Sequence, residues 1–194
     1  MLVRLHILYE NRGIVMLYST DYASPLGALT LAADGESLVG LWMAGQKYFG
    51  ATLKGAVEEK PGLPVFAAAK KWLDAYFAGK KPAIAALPLA PAGGEFRKTV
   101  WGILCEIPYG HCTTYGDIAK QTAARMGRKS MSGQAVGGAV GHNPLSIIIP
   151  CHRVVGAGGS LTGYAGGIGK KVRLLEHEGV DTSRFFIPQK GTAL

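Results

Sequence analysis

The run Pro150-Cys151-His152-Arg153 sets a thiol, an imidazole and a guanidinium in consecutive positions behind the apolar stretch Ile147-Ile148-Ile149. A free thiol of pKa ~8.5 is only a few per cent ionised at neutral pH, so a nucleophilic cysteine needs a base or a cation beside it. His152 and Arg153 offer both. Taken alone, Cys151 also reads as a small buried hydrophobe, the usual fate of a cysteine in a reduced protein. Its surroundings favour chemistry. Gly156, Gly158, Gly159, Gly163, Gly166, Gly167 and Gly169 fall within 14 residues, with Tyr164 among them. That density permits backbone to lie close against a flat ligand, although a plain flexible loop has the same composition. Glu178, at the end of a helix expected over 170–178 and closed by Gly179, is a carboxylate able to orient a histidine.

Several elements must position this set. Asn143-Pro144 marks a helix stop, and the β-branched run that follows predicts a strand closed by Pro150. Upstream, Val100, Leu104 and Ile107 form a helical stripe beginning near Phe96 and stopped by Pro108-Tyr109-Gly110. Thr114-Tyr115-Gly116-Asp117 has the spacing of a capping box and opens a second helix. After the basic loop containing Arg128 and Lys129, Ser132 is a candidate N-cap for a third helix over 133–141. Two short helices so joined predict a helix-turn-helix. The third helix carries adjacent glycines, Gly137 and Gly138, each costing about 1 kcal/mol of helix propensity relative to Ala. Either the helix packs tightly on its neighbours or it must lie close against a partner, with Gln134, Ala135 and Val140 as candidate contacts; spacing leaves both open.

The first half reads differently. Residues 17–41 alternate apolar and polar around the turn signals Ser24-Pro25-Leu26-Gly27 and Asp34-Gly35, which predicts a hairpin or meander. Phe66, Ala69, Trp72, Leu73 and Tyr76/Phe77 recur at helical spacing, so one helix should pack on that sheet. The stretch 79–94, rich in Pro, Ala and Lys, is an aperiodic connector. The expected organisation is α+β: a sheet-plus-helix unit over 1–90, with 1–15 a candidate upstream extension before Met16, and a mainly helical unit over 91–194.

At 194 residues the chain can bury a core without staples. With no apolar run long enough to span a bilayer and no signal-peptide pattern at its start, it is expected in the cytoplasm. Three cysteines without a CxxC spacing argue against a disulfide framework or zinc finger. The formal charge is +8, of which +6 lies after residue 90. That bias suits a polyanionic partner, although a solvated basic surface is equally compatible with it.

Pro150-Cys151-His152-Arg153, with Asn143-Pro144, Tyr115 and Tyr164-Ala165-Gly166-Gly167, resembles the O6-alkylguanine-DNA alkyltransferases, the methylated-DNA-protein-cysteine methyltransferases. The likeness covers residues 96–179, and the preceding unit resembles the family's N-terminal domain of ribonuclease-H-like topology. The resemblance implies stoichiometric direct-reversal repair of O6-alkylguanine, and of O4-alkylthymine, in double-stranded DNA. Cys151 would accept the alkyl group, His152 would deprotonate it through a water, and Glu178 would hold the histidine. Asn143 would brace the helix-turn-helix against the site, and Tyr115 would donate to the departing guanine. Val154, Tyr164 and the Ala165 amide would line the base pocket. Gln134, Ala135, Gly137, Gly138, Arg128, Lys129 and Arg153 would meet DNA from the minor groove. Gln134 stands where many relatives carry arginine, which implies weaker DNA affinity. No cofactor, metal or membrane is implied, and a monomer is expected. The rival readings are a non-catalytic lesion-binding helix-turn-helix protein and a cysteine hydrolase.

Overall fold

A computed structural model describes residues 16–188; the candidate extension over 1–15 lies outside the described residues. Strand β1 (Leu17–Ser24) turns at Pro25-Leu26 into β2 (Gly27–Ala33), and β2 turns at Asp34-Gly35 into β3 (Leu38–Met43). Both pairings are antiparallel, as the alternation predicts. Gly27 and Gly35 hold φ of 98° and 111°, which explains glycine at these two turns. The Asp34 carboxylate accepts from the backbone N–H of Glu36 and Ser37, closing the second turn. A short fourth strand, β4 (Val57–Glu59), pairs parallel to β1 and completes the order β3-β2-β1-β4. Its three residues are exposed, so no apolar pattern announced it.

Helix α1 (Pro64–Phe77) buries Phe66, Ala69, Trp72, Leu73 and Tyr76 on the sheet, the face its periodicity predicts, while Phe77 is only partly covered. Pro64 sits in the first turn, where its missing N–H has no helical partner to lose. The connector is less slack than its composition suggests. It bridges the edge strand β3, with Leu38 N–H donating to Pro88 O and Ala90 N–H donating to Leu38 O, both at 2.8 Å.

The second half is built on α2 (Glu95–Cys105), which contacts both α3 (Tyr115–Arg125) and α4 (Gly133–Gly141). A two-residue strand, β5 (Thr113–Thr114), leads into α3 and pairs in parallel with β6 (Val154–Val155). Both expected caps form: Thr114 Oγ1 accepts from Asp117 N–H at 3.1 Å, and Ser132 Oγ accepts from Ala135 N–H at 3.4 Å. The last helix, α5 (Ile168–His177), starts two residues earlier than expected and ends with Glu178 as its C-cap, followed by Gly179.

The predicted strand before Pro150 does not form. Residues 146–148 are turns and 149 is a bend, and strand-like contact is limited to the isolated bridge between Leu41 and Leu145. Ile148 N–H donates to Ser146 O and Ile149 N–H to Leu145 O, while Ile147 takes φ of 71°, unusual for a β-branched residue. The run is buried because it is wedged between the two halves of the molecule. No described helix is long and apolar enough to cross a membrane.

Candidate active site

Cys151, His152 and Arg153 form one 3-10 turn immediately after Pro150, and all three are buried. The turn aims consecutive side chains in different directions, so each has its own partners. Cys151 Sγ receives a hydrogen bond from Asn143 Nδ2 at 3.1 Å. The same amide nitrogen donates to Ile149 O at 2.8 Å, and Asn143 Oδ1 accepts from Leu145 N–H at 3.0 Å. One buried amide therefore fixes the turns ahead of the thiol and touches the thiol itself. Burial pushes the Cys151 thiol up, and the Asn143 hydrogen bond and the positive charge of Lys171 act against it.

His152 is fully buried, and its Nε2 lies 2.8 Å from Glu178 Oε1. Glu178 also accepts from Arg153 Nε at 2.8 Å, Arg153 Nη2 at 2.9 Å, Gly110 N–H at 3.1 Å and Tyr76 Oη at 2.8 Å. Burial alone would raise this carboxyl, but the hydrogen bonds and charges of His152 and Arg153 outweigh it and hold it well below the usual carboxylate range. Burial, reinforced by the charges of Arg153 and Lys171, lowers His152 despite the pull of Glu178, so the resting imidazole is neutral. A carboxylate can only accept, so Nε2 carries the ring proton and Nδ1 is the free acceptor. Nδ1 has no hydrogen-bond partner among the described residues.

Arg153 does not stand at the surface as expected of a residue that meets DNA: it is buried, with Nε and Nη2 on Glu178 and Nη1 on Ile107 O at 2.6 Å. Its guanidinium balances the buried carboxylate and is engaged inside the protein. The cation that acts on Cys151 is Lys171, which the sequence reading did not single out. Lys171 Nζ is buried, donates to Val154 O at 2.5 Å and Thr162 O at 3.0 Å, and burial lowers its pKa to about 8. Its signal was present: Lys171, Leu174, Leu175 and Glu178 share one helical face, so a lysine stands where an apolar side chain was due.

A cleft of about 620 Å³ is lined by Tyr115, Tyr164 and Ala165 together with Gln134, Gly137 and Gly138 of α4. Tyr115 Oη donates to the loop carbonyls of Thr162 and Gly163 across long contacts of 3.2 and 3.4 Å. Tyr164 is buried, and its hydroxyl has no partner among the described residues. Burial raises both phenols, and the Cys151 charge adds to that rise. Val154 lies fully buried under the site, its carbonyl taken by Lys171, and does not line the cleft. Arg128, Lys129, Gln134 and Ala135 are exposed, whereas Val140 faces the core and is no surface contact.

The paired glycines now separate two readings. A Cβ built on Gly137 or Gly138 meets nothing within 4 Å, and neither residue has positive φ. Nothing inside the chain requires glycine there, so tight packing on neighbouring helices is not the reason. What remains is a surface stripped of side chains on the outer face of a helix.

Two family descriptions match the chain: the ribonuclease-like domain of 6-O-methylguanine DNA methyltransferase over residues 16–91, and its DNA-binding domain over 95–180. The chain belongs to this family. A methylated-DNA–protein-cysteine methyltransferase of Mycobacterium leprae is 42% identical over 163 residues, covering 84% of this chain and 93% of that protein. A protein of the same name from Methanosarcina acetivorans is 43% identical over 164 residues, covering 84% and 99%. Among solved structures, Mycobacterium tuberculosis OGT in complex with DNA superposes with a TM-score of 0.71 at 43% identity, covering 88% of this chain and 95% of that one. The family's fold is thus an N-terminal ribonuclease-like sheet domain followed by a helical DNA-binding domain carrying the buried thiol.

Proposed function

We propose that the protein reverses O6-alkylguanine damage in duplex DNA by moving the alkyl group onto Cys151, once per molecule. The observation that carries this reading is the pair of contacts from Asn143 to Cys151 and from His152 to Glu178; Cys151 does not itself line the cleft that opens onto α4, but its charge acts on Tyr115 and Tyr164, which do. Family membership and the retained cysteine favour transfer over mere lesion binding.

In the reaction the Cys151 thiol gives its proton to His152 Nδ1 through a water, and Asn143 and Lys171 stabilise the thiolate. Sγ then attacks the alkyl carbon in line. An S–C bond forms as the C–O6 bond breaks, and the bonding pair leaves on the purine, which takes a proton as it departs. Tyr115, on its weak loop contacts, can re-aim its hydroxyl to donate that proton, and the proton taken up by His152 replaces it through solvent, so none is gained or lost overall. The thioether formed has no labile proton and no good leaving group, so the protein is consumed.

The target base must leave the helical stack, at a cost of a few kcal/mol. The bare outer face of α4 supports entry into the minor groove, where an insertion from Gln134 would fill the space left behind. Arg128 and Lys129 stand on the exposed approach to this helix and suit phosphates. O4-alkylthymine presents the same alkyl ether chemistry and is a second substrate. Three free cysteines accord with action in a reduced cytoplasm, and the acting unit in this reading is a monomer.

Mass spectrometry tests the proposal. Incubation with a duplex holding one O6-methylguanine should add one methyl to the peptide containing Cys151, and the Cys151→Ala variant should bind the lesion without gaining mass. Repeated turnover would support a hydrolase, and no adduct would support a lesion-binding protein.

A further inference from the structure

Three consecutive residues between β3 and β4 each hold a different part of the DNA-binding half. Gln46 is buried and its Oε1 accepts from Ser146 Oγ at 2.9 Å. Lys47 N–H donates to Ala165 O at 2.9 Å. The Tyr48 ring stacks on His142, with centroids 4.0 Å apart and planes 20° from parallel. Ser146 lies in the turns leading to Cys151, Ala165 in the pocket loop, and His142 at the C-cap of α4. Tyr48 holds this position with φ of 61°, a left-handed conformation that non-glycine residues rarely adopt.

The clamp uses the Lys47 backbone and leaves its side chain free. Lys47 is exposed, its ammonium lies 5.2 Å from the Tyr48 ring centroid, and it makes no salt bridge among the described residues. Lys47 and Tyr48 both line the cleft shared with Gln134 and Gly138, and no carboxylate lines it. An extruded nucleotide remains joined to its strand through a phosphate on each side. When its base enters this cleft, those phosphates must come to the rim.

We propose that Lys47 and Tyr48 extend the DNA interface onto the N-terminal domain, with the Lys47 ammonium paired to a phosphate next to the extruded nucleotide and Tyr48 holding the segment in place. The proposal rests on the alkyl-transfer reading above. It gives the sheet domain a direct part in recognising the strand that carries the damage.

The test compares the full-length protein with Lys47→Ala, Lys47→Arg and Tyr48→Ala, using a duplex with one O6-methylguanine and the free O6-methylguanine base. One phosphate contact contributes about 0.9 to the slope of log affinity against log salt. Lys47→Ala should lower the slope by about that amount and reduce the ratio of duplex to free-base transfer rates several-fold. Lys47→Arg should restore both, and Tyr48→Ala should lower the rate ratio. An unchanged slope in Lys47→Ala overturns the proposal. So does an equal loss with duplex and free base, which would make the segment a wall of the base pocket. Failure of the unmodified protein to gain a methyl from either substrate would instead overturn the alkyl-transfer reading, before any substitution is compared.

Discussion

Tyr76, near the end of α1 in the sheet domain, donates its hydroxyl at 2.8 Å to Oε1 of Glu178, the residue that caps α5 on the far side of the domain interface. The same oxygen holds His152 Nε2. The histidine's partner is therefore shared between two domains, and α1 takes part in setting how strongly Glu178 pulls on the imidazole. Burial and the neighbouring Glu178 charge raise the Tyr76 phenol far above its ordinary range, so it remains a donor at any working pH.

Tyr76→Phe keeps the ring, which stacks on Trp72, and removes only the donor. A hydrogen bond to a charged group is worth about 1.5–3 kcal/mol, and with four others remaining on Glu178 the loss should fall at the low end. Freed of one donor, Glu178 pulls harder on His152 and raises its basicity. The acid limb of the transfer rate, followed against pH, should move to higher pH.

Glu178 makes the fold sensitive to acid in a defined direction. Its folded-state pKa is depressed, so the unfolded chain takes up a proton first as the pH falls through the ordinary glutamate value of about 4.3. The stability it contributes is complete above that value and drains away as the pH falls further toward the folded pKa. Thermal unfolding across this range should show a steep loss for the unmodified protein. Glu178→Gln should begin less stable and show a flatter dependence.

Lys171 should govern the alkaline side. Its ammonium favours the Cys151 thiolate, and that charge is lost as pH rises through about 8. Lys171→Met removes the charge at every pH. Transfer near neutrality should slow by about tenfold, one pKa unit in the thiol being one decade in thiolate fraction. The variant's rate should climb with pH without the inflection that deprotonation of Lys171 imposes on the unmodified protein.

On α4 stability and binding should move in opposite directions. Gly138→Ala meets no neighbour and recovers up to about 1 kcal/mol of helix propensity, so the melting temperature should rise. Its new methyl stands on the face assigned to DNA, and duplex affinity should fall. Gln134→Arg adds a cation on the same face; titrations at several salt concentrations should show tighter binding and a steeper slope.

Much of the site was legible because its signals are local. Cys151 and His152 are adjacent, Glu178 sits where a helix must end, and Ser132 and Thr114 announce their helices through capping chemistry. What escaped notice depends on distance along the chain. Tyr76 reads as one more apolar position on α1, because nothing near residue 76 indicates that a carboxylate 102 positions away will seek its hydroxyl. Arg153 reads as a free cation until its buried partner is known. The run Ile147-Ile148-Ile149 has the composition of a strand, but Asn143 supplies the hydrogen bonds that a neighbouring strand would have given. A β-branched sequence signals burial more dependably than it signals extended pairing.

The linker between the halves has little to hold. Leu41 N–H donates to Pro144 O, Ser146 N–H returns to Leu41 O, and Arg173 and Lys170 reach Pro25 O and Ala44 O from α5, so the halves are stitched at several points remote from residues 91–94. A nick in that short stretch would sever covalent continuity while leaving these attachments and the Tyr76 anchor intact. The molecule would then be a complex of two fragments, and what makes it work as one body is the noncovalent seam.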